Sequence, residues 1–233
     1  MHPRAMKYFA YGSNCNPAIL EKKGVGWSAR QRAVLRGYRL LFNKKALRER
    51  IPADIGFANI NEDPDGRVEG ILYELEDEHL GRLDESERYP DHYRRIEVTV
   101  ETDDGPVRCE TYQAQPDKLA EHLKPSRNYV NHILAAKDFL SRQYFDALDR
   151  SQVYRGECAV CHSENEVIFL DEAGRIHMLC QPCREARLKW GDTRGRKLTV
   201  AETEAVMNQI VGKGFGSIRE LVRAAIDARV IDP

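Results

Sequence analysis

The spacing of hydrophobic and polar positions changes several times along the chain, and the changes mark out its elements. Residues 7–11, Lys-Tyr-Phe-Ala-Tyr, are β-forming and stop at Gly12. Gly12 permits backbone angles that other residues resist, and a strand breaking there turns successive N–H groups one way. Asn16 caps a helix with Pro17 in its first turn and Gly24 just past its end. Residues 33–42 read as strand with a break at Gly37, giving either two short strands or one bent one. Residues 56–60 and 68–75 alternate as strands joined by the turn Asp63-Pro64-Asp65-Gly66, where Pro fixes one φ and Gly supplies the permissive one. Asp77 is expected to cap a short helix that carries Leu80 and Leu83 toward Glu87, before Pro90 forbids continuation. Residues 93–101 and 107–113 form a hairpin around Asp103-Asp104-Gly105. Tyr129, Ile133, Ala136 and Leu140 recur at helical spacing, which predicts one helix over 125–140 and a second, shorter one over 141–148.

Strands interrupted by helices, with hairpins rather than repeated βαβ units, place this part of the chain in the α+β class. The composition shifts near Asp149. Residues 199–211 carry Val200, Thr203, Val206, Met207 and Ile210 on one helical face. A glycine-rich break at 212–216 follows, and residues 217–230 repeat the pattern with Ile218, Leu221, Val222, Ala225 and Ile226. Two amphipathic C-terminal helices are therefore expected, with apolar faces suited to the first domain or to a second chain in a homodimer.

Composition narrows the classes. Of the 233 residues, 42% are hydrophobic and 31% charged, the balance of a folded chain rather than a disordered one. The net charge of −1 gives no overall pull toward nucleic acid or a membrane surface. No run approaches the about 18 apolar residues that a membrane span needs. The first residues lack the apolar core of an export signal, so a reducing cytoplasm is the expected compartment.

The six cysteines fall into two sets. Cys15 and Cys109 are isolated, and Cys15 reads as a small buried residue. Cys158-Ala-Val-Cys161 and Cys180-Gln-Pro-Cys183, eighteen residues apart, have the spacing of a four-thiolate zinc site. Each pair can turn two thiolates toward one ion, with residues 167–178 as a hairpin around Glu172-Ala173-Gly174. Structural zinc is the favoured reading; a redox disulfide pair and an iron–sulfur cluster are the alternatives. His162 and His177 lie close, but four thiolates already complete a tetrahedral shell. The stretch 184–197 is locally basic, which reads first as a solvated face and second as a weak contact for nucleic acid.

Three motifs then stand in order: Tyr8-Phe9-Ala10-Tyr11-Gly12-Ser13-Asn14, Leu83-Asp84-x-x-Glu87 and Pro125-Ser126-x-x-Tyr129. Together they resemble the γ-glutamylcyclotransferase family over residues 6–148. The resemblance implies a small mixed β-barrel with flanking helices, to which a four-cysteine zinc-ribbon-like module (149–197) and a helical extension (198–233) are appended. It also implies conversion of a small γ-glutamyl substrate to 5-oxoproline with release of the amine. Glu87 matches the family's acid/base. Tyr11, Gly12, Ser13 and Asn14 would hold the glutamyl part, chiefly through backbone N–H groups. Tyr93, Tyr112 and Tyr129 fall where the family places pocket tyrosines, although each would also serve as a core residue.

The chemistry suits that assignment. A γ-glutamyl amide carries its own nucleophile, the α-amine, placed to close a five-membered ring on the γ-carbonyl. What remains is one group to move a proton and donors for the oxyanion, with no organic cofactor. Ser13 is a poor covalent nucleophile, since no His completes a triad with it. One departure stands out: the family commonly follows its glutamate with Gly-Val, whereas Arg88-Tyr89-Pro90 follows here and would set a cation beside Glu87. The alternative reading is a catalytically idle fold that acts as a binding module, its zinc ribbon engaging nucleic acid or a protein.

Overall fold

The computed structural model describes residues 6–46, 51–172, 175–189 and 198–211. The chain divides into two compact units. One runs to Val153 without residues 126–128, which group with the second unit, from Tyr154 onward.

Five strands close the barrel of the first unit: β1 (Met6–Ala10), β2 (Ala29–Lys45), β3 (Gly56–Leu75), β4 (Tyr93–Thr102) and β5 (Gly105–Ala114), in the order β1-β3-β2-β4-β5. All neighbours are antiparallel except β1 and β5, which meet in parallel at Tyr8 and Glu110. Period-two alternation builds two cores from the same strands. Phe9, Leu35, Ile60, Leu72 and Val100 fill the barrel. Tyr8, Ile71 and Tyr73 face outward to meet Leu20, Leu83 and Ile133 from the flanking helices. Those helices are α1 (Pro17–Lys22), α2 (Asp77–Glu87), α3 (Arg127–Leu134) and α4 (Arg142–Asp149). The architecture is the mixed barrel that the motifs imply.

Several local expectations change. β2 is one bent strand, with its register shifted on either side of Gly37, whose φ is 77°. The two strands expected over 56–75 are one, β3, and Asp63-Pro64-Asp65-Gly66 does not reverse the chain. Arg36 pairs with Arg67 and Tyr38 with Glu62, so these four residues bulge outward opposite Gly37. A Cβ on Gly66 would fall 2.4 Å from the Tyr38 carbonyl oxygen, so the bulge needs glycine for space. Asp77 is the first residue of α2 rather than its cap; Glu76 holds the N-cap position without a side-chain cap bond.

The helix expected over 125–140 is shorter than the apolar spacing suggests. After α3 the chain tightens into three-residue hydrogen bonds, Lys137 to Leu134 and Phe139 to Ala136, which still bury Ala136 and Leu140. Ser141 then caps α4 by accepting from Tyr144 N. Its own backbone N–H and hydroxyl each donate to the carboxylate of fully buried Glu69 at 2.6 Å, and Arg67 lies 2.5 Å from the same group.

In the second unit β6 (Arg155–Glu157), β7 (Glu164–Glu172) and β8 (Arg175–Cys180) form an antiparallel sheet, followed by α5 (Gln181–Lys189) and α6 (Val200–Val211). The hairpin of β7 and β8 matches the expectation, while its tip at 173–174 lies outside the described residues. So do 190–197 of the basic stretch and the second C-terminal helix expected over 217–230. No described helix is long and apolar enough to cross a membrane.

Candidate active site and metal centre

β1 delivers its last residues to the rim of the barrel, where a 3₁₀ turn, Ser13–Cys15, redirects the chain into α1. The first N–H groups of such a turn are not used within it. Gly12 precedes the turn at φ −109°, an angle open to other residues, so its requirement is space rather than conformation. A Cβ there would approach the Tyr129 phenol to 3.1 Å and Ala58 Cβ to 3.2 Å. Across the gap α2 ends at Glu87, closed by Arg88 in the left-handed region with its N–H on the Asp84 and Glu85 carbonyls.

Between these pieces lies a polar recess with about 300 Å³ of empty space, open mouth included. Tyr8, Tyr11, Gly12, Ser13, Asn14, Ala58, Glu87, Tyr93, Tyr112 and Tyr129 line it, so every non-cysteine candidate from the sequence reaches one cavity. Tyr8, Ala58 and the neighbouring Lys23 are additions. Tyr8 stood in the first motif and its buried alternation was readable; nothing in the Glu21-Lys22-Lys23 run distinguished Lys23 from a solvated lysine.

Polar contacts converge on one oxygen of Glu87. Lys23 Nζ donates to Oε1 at 2.8 Å, Asn14 Nδ2 at 3.1 Å, and the Ser86 hydroxyl lies at 3.5 Å. Lys23 also donates to Asn14 Oδ1 at 2.7 Å, and Asn14 Nδ2 donates to the Tyr8 phenol at 2.8 Å. Lys23, Asn14 and Glu87 thus form a closed triangle. The cation against Glu87 is Lys23, at the end of α1, whereas the adjacent Arg88 serves as the αL cap of α2.

The tyrosines divide by what their protons do. Tyr93 donates to the Ala58 carbonyl at 2.9 Å, Tyr11 to the Tyr112 carbonyl at 2.5 Å, and Tyr112 to Asp84 Oδ1 at 2.8 Å. Arg95, 3.4 Å from Asp84, completes that last chain. Toward the recess these phenols present lone pairs and ring faces. The Tyr8 oxygen accepts from Asn14, and the Tyr129 oxygen accepts from Ala58 N at 3.2 Å. Burial, followed by the proximity of other anionic or phenolic groups, raises the pKa of Tyr8, Tyr11 and Tyr93 well above the ordinary phenol value. Burial likewise pushes Tyr129 up to about 12. All four therefore stay neutral near pH 7. Edge-on packing of Tyr8 against Tyr112 (5.8 Å) and of Phe57 against Tyr129 (5.1 Å) fixes the walls. The recess thus offers one ionisable carboxylate, backbone N–H groups and neutral phenols, a set suited to moving one proton and holding a polar substrate.

In the second unit the sulfurs of Cys158, Cys161, Cys180 and Cys183 all lie within 4.8 Å of one another. Cys161 and Cys180 are 3.8 Å apart. Thiolates about 2.3 Å from a tetrahedral zinc have edges of about 3.8 Å, so the cluster has the dimensions to hold a metal ion. The Cys180 N–H points at Cys158 Sγ (3.3 Å), a contact that favours a thiolate there. His162 is engaged by Glu157 (3.0 Å) and Glu204 (3.5 Å), apart from the four sulfurs. Cys15 and Cys109 are buried elsewhere, and burial pushes both thiols up to about 12.

No curated protein sequence matches the chain. Among solved structures it is similar to a gamma-glutamyl cyclotransferase, with 25% identity and a TM-score of 0.57 over 65% of this chain and 90% of that one. It is also similar to uncharacterized protein loc79017 from Homo sapiens, with 26% identity and a TM-score of 0.55 over 64% of this chain and 89% of that one. YkqA from Bacillus subtilis is 31% identical, with a TM-score of 0.56 over 63% of this chain and 54% of that one. A sequence model of gamma-glutamyl cyclotransferase, AIG2-like proteins matches residues 8–131, more than half of the chain. The chain belongs to the gamma-glutamyl cyclotransferase, AIG2-like family.

Proposed function

We propose that the protein cyclises a γ-glutamyl amide to 5-oxoproline and releases the amine, with Glu87 moving the proton. The observation that carries this reading is the meeting, in one recess, of the Glu87 carboxylate with the Gly12-Ser13-Asn14 turn and a ring of neutral phenols. In the reaction the α-amine attacks the γ-carbonyl and Glu87 removes its proton. The same carboxyl then returns the proton to the departing nitrogen as the amide C–N bond breaks. Lys23, Asn14 and Ser86 all meet Oε1, so the second oxygen is the one left for the substrate. Tyr93 and Tyr112, their protons committed elsewhere, would accept from the N–H groups of the substrate α-amine and so orient its lone pair toward the γ-carbonyl. The N–H groups of Gly12 and Asn14 would receive the oxyanion, joined by that of Ser13 if it exchanges its bond to the Tyr129 oxygen for one to the substrate. Much of the acceleration comes from holding the glutamyl chain folded for ring closure.

The four cysteines would hold zinc in a closed shell, contributing to folding and not to the reaction. Incubation of the full chain with γ-glutamyl amino acids, γ-glutamylamines and glutathione, followed by mass spectrometry, tests the reading. Formation of 5-oxoproline from at least one of them is expected. Silence across the panel would overturn it.

A further inference from the structure

Beside the recess lies a second, roomier groove with about 1300 Å³ of empty space open to solvent, lined by Lys22, Lys23, Gly24, Arg82, Glu85, Ser86 and Arg88. The two cavities share a wall. Lys23 lines the groove, and its ammonium touches Glu87, which lines the recess. Four cations face one acid there, in a chain whose net charge is −1, so the excess is local. With Lys23 neutralised by Glu87, and one of Lys22, Arg82 and Arg88 offset by Glu85, an excess of two positive charges remains. Arg82 donates to the Gly24 carbonyl, which holds its guanidinium against the groove wall with further N–H groups to offer. The nearby Asp84 is occupied by Tyr112 and Arg95.

On the reading above, the departing nitrogen must lie within hydrogen-bond reach of Glu87, because Glu87 returns its proton. The rest of the departing group then begins at the wall shared with the groove. We infer that this groove receives a departing group bearing two carboxylates, so that the favoured substrates are γ-glutamyl peptides whose second residue is itself acidic. The inference rests on the cyclotransferase reading and narrows its substrate class. An α-carboxylate alone, common to every γ-glutamyl amino acid, would use only part of the excess charge. A second carboxylate matches it. Because the cations are solvent-exposed, the preference should weaken as salt screens them.

The test compares γ-glutamyl-glutamate with γ-glutamyl-glutamine, which have nearly the same shape and differ by one charge. For the wild-type full chain at low salt, kcat/KM should favour the acidic dipeptide by about tenfold, chiefly through KM, and the ratio should fall toward unity at high salt. Arg88→Gln and Lys22→Gln, each without a role in the recess, should each shrink the ratio. Equal turnover, or a preference for the glutamine dipeptide, overturns the groove assignment while 5-oxoproline production leaves the cyclotransferase reading standing. Calorimetric binding of both dipeptides to Glu87→Gln protein separates the two ideas further. Tighter binding of the acidic one, with neither turned over by the wild type, keeps the groove as an anion site and rejects γ-glutamyl dipeptides as its substrates. Equal binding rejects the groove.

Discussion

At the scale of single residues, placement in the recess was legible where a motif or the family resemblance pointed to a side chain and illegible where only folding brings it there. Glu87, Asn14, Tyr11 and Tyr129 were readable because each stood in a motif, and Tyr93 and Tyr112 because the family resemblance pointed to their positions. Lys23 was not, since it becomes a partner of Glu87 only when the end of α1 meets the end of α2. Lys44 is the stronger case. It occupies a strand position among other basic residues, yet it is 2% exposed, donates to the Lys45 carbonyl at 2.7 Å, and lies 3.2 Å from His92 Nδ1. Burial is the main cause that lowers its pKa from an ordinary 10.5 to about 8. Between these values the unfolded chain binds more protons than the folded one, so stability rises with pH across that window. Below pH 8 the full cost of burying the ammonium is present. Urea unfolding of wild type and Lys44→Met should therefore show wild type gaining on the variant between pH 7.5 and about 10. A constant difference would contradict the burial argument.

Among elements, period-two alternation identified the strands, but turn residues misled about connectivity. Asp63-Pro64-Asp65-Gly66 is a strong reversal signal locally, yet pairing on both sides with β2 costs less than breaking a long ladder, so the signal is expressed as a bulge. Helical spacing likewise overstated α3, because a tightened turn can bury Ala136 and Leu140 as well as a helix can. The clamp of Glu69 on Ser141 was invisible, as an acid in an alternating strand reads as a solvent-facing position. Glu69→Ala should leave the start of α4 and Arg67 without their acceptor, costing about 2–4 kcal/mol in denaturant unfolding. A loss below about 0.5 kcal/mol, the range of an ordinary surface substitution, would mean the clamp is incidental.

For the molecule as a whole, barrel closure was accessible through the family resemblance and not through the local pattern of residues. It depends on β1 meeting β5 in parallel across a hundred residues of sequence, and no local pattern encodes that pairing. The cysteine spacing, by contrast, announced its own cluster, because ligand geometry constrains sequence directly. The second unit's described core is small, centred on Cys158, Val160, Leu179, Cys180, Cys183 and Val200, so a metal would supply much of its cohesion. Stripping the metal with a chelator, or introducing Cys180→Ser, should abolish the protection of β7, β8 and α5 amides in hydrogen exchange. Protection of β1 to β5 should persist. Collapse of barrel protection in the same sample would show that the metal supports more than its own unit.

The central claim, that Glu87 carries the proton in a ring-closing transfer, is tested most directly by one paired measurement. With a γ-glutamyl substrate found for the full chain, the release of 5-oxoproline and free amine is followed for wild type and Glu87→Gln, alongside their thermal unfolding. Gln keeps the shape of Glu but cannot shuttle the proton, so kcat should fall by about 10²–10⁴ while the folded structure is retained. Near-wild-type turnover by Glu87→Gln, with 5-oxoproline still the product, would place the base elsewhere and contradict the account.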